Sequence, residues 1–239
     1  MAIASLRLWL ARRRAHLAGV VEQAGFLASP VTGRCAEEIA IANDLRAVAL
    51  MNLGTVEAWS LALTDAERHL REGATLAREI GRPYLEVACL AQLGFASPTG
   101  SLATAQERCH EAIALAERHG WGAEPVIAPA LLTLAEKTIW TGEFGEGERW
   151  LRRAAQALEA DDAPGIRLRL HLVSGMLHAG RGCPREALEE FHAAARLQPQ
   201  LASPLALGDQ VTGWLLATQA RLGLTGEARA GLAALADDE

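Results

Sequence analysis

Five times along the chain a small residue is followed four positions later by a larger apolar one: Ala66 and Leu70, Ala105 and Cys109, Gly147 and Leu151, Ala187 and Phe191, Ala228 and Leu232. The small residues are 39, 42, 40 and 41 positions apart. A repeat of about 40 residues leaves few folds open, because each copy has to be one supersecondary unit that buries its apolar face by stacking on its neighbours. A second column precedes the first by about 12 residues: Leu53-Gly54, Leu93-Gly94, Leu134-Ala135, Ser174-Gly175 and, less clearly, Leu215-Leu216. Each unit therefore holds two helices. A small residue at a fixed place in both lets the antiparallel backbones approach closely, and the larger residue one turn on fills the space beside it.

Composition agrees with this reading. Half of the 239 residues are apolar, enough for a substantial core, and only 5% are aromatic. Ala, Leu, Arg and Glu dominate and β-branched residues are few, which favours packed helices with charged outer faces and almost no sheet. The expected helices run over about 2–14, 16–28, 36–62, 64–80, 84–96, 101–119, 125–141, 144–160, 164–180, 184–197, 204–222 and 225–236. Gly- and Pro-bearing breakers stand between them: Ser29-Pro30, Gly81-Arg82-Pro83, Ser97-Pro98-Thr99-Gly100, Gly120-Trp121-Gly122, Ala163-Pro164-Gly165, Gly182-Cys183-Pro184 and Ser203-Pro204. No linker is rich enough in Gly, Ser or charge to divide folding units. The expectation is one all-α domain over 1–239, with a divergent first hairpin over 1–30 and repeats over 36–81, 84–120, 125–161, 164–199 and 204–236.

The net charge of -6, with acids and bases interspersed, offers no basic stripe of the kind that phosphate neutralisation requires. DNA binding by this chain alone is not expected. Arg12, Arg13 and Arg14 form the one basic run and read as a solvated helix face. Lys137 is the single lysine, a bias of codon usage more than of chemistry. Cys35, Cys89, Cys109 and Cys183 form no CxxC pair, and most fall in apolar helical runs, where a reduced thiol acts as a small hydrophobe. A reducing cytoplasm fits them. The N-terminal stretch meets Arg7 and then the three arginines, and no run of about 18 apolar residues is read, so neither a signal peptide nor a membrane span is expected.

No local pattern in the sequence carries catalytic or metal chemistry. His110-Glu111 lacks the second histidine of a zinc-protease helix, since Ala114 stands there, and His171 and His178, seven apart, read as packing or solvent-facing. Asp161-Asp162 precedes Ala-Pro-Gly and fits a turn, while Asp237-Asp238-Glu239 ends the chain. There is no GxSxG elbow, and the glycines from Gly142 to Gly147 follow no strand and so make a turn in place of a phosphate cradle. The chain reads as non-catalytic, with no cofactor and no metal.

The fourth full unit resembles the tetratricopeptide (TPR) pattern, with Ser174-Gly175, Ala187, Phe191, Ala194 and a closing Pro199, and the unit at Leu53, Gly54, Ala66 and Leu70 keeps the same register. The period exceeds the roughly 34 residues of TPR units, so helices or turns are longer here. The run from Met51 to Trp59, with Asp65–Leu70 and Ala77–Leu85, is similar to the helical-repeat region of MalT-like LuxR-family bacterial transcriptional regulators. That resemblance covers most of the chain and is strongest over about 45–95. It implies a TPR-like superhelical solenoid of about six antiparallel hairpins, working as a ligand-sensing or protein-interaction domain. In that family a nucleotide-binding module precedes the repeats and a helix-turn-helix follows them. Neither a GxxxxGK[ST] loop nor a basic recognition helix occurs in this sequence. A stand-alone TPR scaffold for partner peptides is the alternative.

In the TPR register the first helix of each unit faces a concave groove. Trp59 and Trp140, 81 residues or two periods apart, hold equivalent places at first-helix ends. The lining is then Met51, Thr55 and Trp59, Phe95, Leu132, Glu136, Ile139 and Trp140, and Arg169, Leu172 and Met176. The candidate groove is Met51, Trp59, Phe95, Glu136, Ile139, Trp140 and Met176, taking a small-molecule effector or a protein or peptide partner. Homo-oligomer formation is left open. Burial of the same residues between helices is the competing reading. Trp121, Trp150 and Trp214 are assigned to turns or second helices with structural roles, and Tyr84 with Arg82-Pro83 to stapling a helix start.

Overall fold

The computed structural model describes residues 2–14, 16–28, 36–96, 102–159, 163–201 and 206–237. Among them there is no strand. Twelve α-helices follow one another: α1 (Ala2–Arg13), α2 (Leu17–Ala28), α3 (Ala36–Trp59), α4 (Leu63–Glu79), α5 (Pro83–Leu93), α6 (Leu102–Arg118), α7 (Ala128–Trp140), α8 (Phe144–Ala157), α9 (Pro164–Gly180), α10 (Pro184–Leu197), α11 (Ala206–Arg221) and α12 (Thr225–Asp237). A 3-10 turn over Pro125–Ile127 leads into α7, so that element is shorter at its start than the expected 125–141. The breakers at 29–30, 97–100 and 203–204, Cys35, Asp161-Asp162, Asp238 and Glu239 lie outside the described residues.

The two columns meet as their small residues require. A Cβ on Gly54 of α3 would come within 2.5 Å of Leu70 and 3.1 Å of the Ala66 carbonyl in α4. One on Gly94, just past α5, would fall 2.2 Å from Cys109 Sγ and 3.1 Å from the Ala105 carbonyl, and one on Gly175 of α9 would strike the Phe191 ring of α10 at 2.4 Å. In the α7–α8 pair the glycine is on the second helix, and Gly147 faces the Ala135 carbonyl at 3.4 Å. Close approach is thus achieved by a missing side chain on either partner.

Turns inside the hairpins share one geometry. Gly142, Gly182 and Gly223 each stand seven residues beyond the first-helix column and have φ of 82°, 76° and 78°. Each is followed by a backbone N–H that bonds back across the turn, as Glu143 N to the Thr138 carbonyl at 2.8 Å and Cys183 N to the His178 carbonyl at 2.9 Å. Left-handed backbone costs glycine nothing. In the α3–α4 turn the same place is Leu61, with φ 58°, and Ala62 N still reaches the Glu57 carbonyl at 2.9 Å.

First helices also touch the first helix of the next unit, α1 on α3, α3 on α5, α5 on α7, α7 on α9 and α9 on α11. The main core runs from Ala58 to Val211 along these contacts, and a smaller cluster joins Leu8, Val20, Ala24 and Leu27 to Ala49 and Val56 of α3. Ile39–Trp59 of α3 is long and apolar enough, by length and composition, to cross a membrane, with mean hydropathy 1.2. The helix packs on α1, α2, α4 and α5 with Ala47, Ala49, Leu50 and Val56 buried, and it carries Asp44, Arg46 and Glu57.

Candidate functional site: the first-helix wall

The seven groove residues are dispersed by the fold into three settings. Trp59 and Trp140 both end a first helix and both reach a first helix further along, yet they differ sharply in exposure. Trp59 is 5% exposed, its ring set where a Cβ on Gly165 of α9 would lie 2.9 Å away. Trp140 is 64% exposed and meets Trp214 of α11, ring centroids 6.1 Å apart. Trp214 therefore lies on a first helix, not in a turn or second helix, and it also stacks on Phe191 at 5.8 Å.

Ile139 does not share the wall. Successive helical residues point about 100° apart, so Ile139 follows Ala135 into the hairpin and approaches Gly147, leaving Trp140 on the other side. Met176 is buried at 4%. Met51 and Phe95 are half-buried against the core.

Phe95 and Glu136 are brought together by a residue between them. Arg169 of α9 is 1% exposed, with its guanidinium carbon 4.1 Å from the Phe95 ring centroid. Its Nη2 donates to Thr133 Oγ1 at 2.8 Å and to Glu136 Oε2 at 3.3 Å. Burial pulls the Arg169 pKa below the usual arginine value and the Glu136 carboxylate works against that. This is a fixed cation held by a π-face, a carboxylate and a hydroxyl, a combination that locks α9 onto α7. Cys109 lies in the same field, and burial pushes its thiol up to about 12. It stays a protonated, inert filler.

A polar column missed in the sequence runs along this wall. Asn52, Gln92 and Thr133 each precede the small first-helix residue by two places and are 3%, 5% and 0% exposed. Sequence reasoning named Thr55 and Arg169 but not these, although their steps of 40 and 41 are legible. Between α1, α3, α5 and the 3-10 turn lies a cavity of about 160 Å³, bordered by Met51, Thr55, Tyr84, Gln92, Pro129 and Arg12. Arg12 is thus half-buried, not a freely solvated face. Tyr84 borders the cavity while its ring sets an edge against Trp121 at 5.2 Å, and the helix start beside it is tied by Arg82 to Asp44 at 2.8 and 2.9 Å.

Elsewhere two histidines find carboxylates, His69 Nδ1 with Glu57 at 2.7 Å and His171 Nδ1 with Glu190 at 2.7 Å. Among the described residues no group of three or more His, Cys, Asp or Glu side chains converges as a metal site would. No protein-family model and no curated protein matches the chain.

Proposed function

We propose that the chain is a TPR-like superhelical repeat domain that recognises an effector on its first-helix wall and does no chemistry on it. It would act as the cytoplasmic sensor region of a MalT-like LuxR-family regulator, whose DNA contacts are made by another module. The observation that carries this reading is the wall itself. Side chains from successive units, Met51 and Thr55, then Gln92, then Pro129, border one cavity, and no nucleophile with an attendant base lies among them. Such a surface can bind and couple units, because a ligand touching two first helices favours one arrangement of the stack over another. The stand-alone scaffold remains as a second reading, favoured by the exposed Trp140 beside Trp214, an aromatic pair suited to a peptide anchor.

Thermal-shift screening of the chain against metabolites and peptides tests the proposal. Stabilising ligands should be recovered chemically unchanged after incubation. Turnover of a ligand would refute the non-catalytic reading. Stabilisation by peptides alone, lost in Trp140→Ala, would select the scaffold. The reading frame around the chain offers an independent check, since the regulator requires a nucleotide-binding module before it and a helix-turn-helix after it.

A further inference from the structure

The first hairpin differs from the rest of the chain in charge. Residues 1–28 hold four arginines and one carboxylate, Glu22, a net +3 in a chain of -6, which leaves -9 for the remainder. Arg12 is half-buried against the cavity wall, whereas Arg7 and Arg14 stand exposed. α1 packs on α2 and α3 through Leu8 and Ala11. Successive helical residues point about 100° apart, so Ile3, Leu6 and Leu10 form one stripe facing away from Leu8. Arg14 N still bonds the Leu10 carbonyl at 3.1 Å, which keeps Arg14 on the helical line. Arg7 and Arg14 therefore run along one border of the stripe and Trp9 along the other. Ile3 and Leu6 are 67% and 63% exposed, and Trp9 and Leu10 48% and 44%. A contiguous apolar stripe on a surface marks a place where something docks.

The cationic border opens into a groove of about 490 Å³ between α1 and α2, lined by Arg7, Leu10, Arg14, His16 and Gly19, with Glu22 as its one carboxylate. Arg7, Leu10 and Arg14 thus belong to stripe and groove alike. Charge selects the occupant. A second copy docked by the same face would set Arg7 and Arg14 against their own copies, which like charge opposes. Four apolar and two cationic side chains also fall well short of the roughly 20–30 residues a side of a stable protein interface. They do match what a helix needs to lie on an anionic bilayer, where the apolar face enters the interfacial layer and arginines meet phosphates. We propose that α1 docks the chain on an anionic phospholipid surface, with Ile3, Leu6 and Leu10 inserted, Trp9 at the margin and a lipid phosphate in the groove beside Arg7 and Arg14. This surface shares no residue with the cavity of the first-helix wall and stands independently of it.

Flotation of the full chain with phosphatidylcholine vesicles, with and without phosphatidylglycerol, tests the assignment. Anionic vesicles should carry at least about tenfold more protein than neutral ones, and added salt should shrink the difference by screening the arginines. Leu6→Gln with Leu10→Gln should release the chain from both, and Arg7→Gln with Arg14→Gln should lower anionic binding to the neutral level. Arg7→Lys with Arg14→Lys should retain it. If the leucine variant does not fold, quenching of tryptophan fluorescence by brominated acyl chains reads the same contact, and it should fall in Trp9→Phe but not in Trp140→Phe. Absence of vesicle binding, equal binding to the two vesicle types, unchanged binding in folded glutamine variants, or quenching that follows Trp140 would overturn the proposal. Release by soluble glycerol 3-phosphate at constant ionic strength would do so too, by making the groove a site for a free anion. Self-association that is lost with the two leucines would make the face an interface between copies instead.

Discussion

Leu61 occupies a place that three other units give to glycine. Its φ of 58° puts a Cβ in the left-handed region, at a cost of roughly 1–2 kcal/mol for a non-glycine residue. Its side chain is 45% exposed and returns little of that by burial. Leu61→Gly is expected to stabilise the chain by about 0.5–1 kcal/mol after the added unfolded-state entropy is subtracted, read as a raised urea midpoint. A lowered midpoint would show that the leucine's packing outweighs the strain. The two tryptophans predict opposite outcomes from one substitution. Trp59→Ala opens a hole against Gly165 and should cost about 3–5 kcal/mol, whereas Trp140→Ala should change stability by less than about 1 kcal/mol. Equal losses would mean that Trp140 is covered in solution. Their equivalence of position was legible in the sequence, and their difference was not. Cover for Trp59 comes from a glycine 106 residues away, and no local pattern announces that contact. Ile139 was legible but misjudged, because its spacing of four from Ala135 already directs it into the hairpin.

At the scale of helix pairs, the small-residue columns were readable because close approach has a single local requirement, the absence of bulk, and the repeat displays it five times. Gly175→Ala should therefore destabilise by about 1–3 kcal/mol, since the buried Phe191 ring has to shift. Gly213→Ala, in α11 with nothing near the new Cβ, should instead gain up to about 1 kcal/mol from helix propensity. The same sign for both, in chemical denaturation, would place the columns wrongly. Successive second helices are tied by charge: Arg108 of α6 reaches Glu67 of α4 at 2.8 Å, and Arg71 joins the same carboxylate at 2.6 Å. Burial raises the Glu67 pKa, but the two arginines together outweigh it and hold it below the usual carboxylate value of 4.5. A depressed folded-state pKa gives stability that is present above the unfolded value and lost as pH falls through the folded one. Glu67→Gln should thus cost on the order of 1 kcal/mol at pH 7, and the deficit should shrink as the pH drops below 4.5. A deficit independent of pH would assign the loss to packing.

For the whole chain, the order of the helices among the described residues followed from the 40-residue period and its breakers, with several ends displaced as at the start of α7, while the proposed binding wall depended on how units stack. Stacking couples residues about 40 positions apart, so the pairing of Thr133 with Arg169 became visible only with the first helices side by side. The recognition proposal distinguishes two faces of one molecule, and hydrogen–deuterium exchange with and without a stabilising ligand measures both at once. Protection is expected in α3, α5 and α7, centred on Met51–Thr55, Ala88–Gln92 and Pro125–Pro129, with α4, α6 and α8 little changed. Protection confined to α4, α6 and α8, or spread evenly over all twelve helices, would contradict recognition on the first-helix wall.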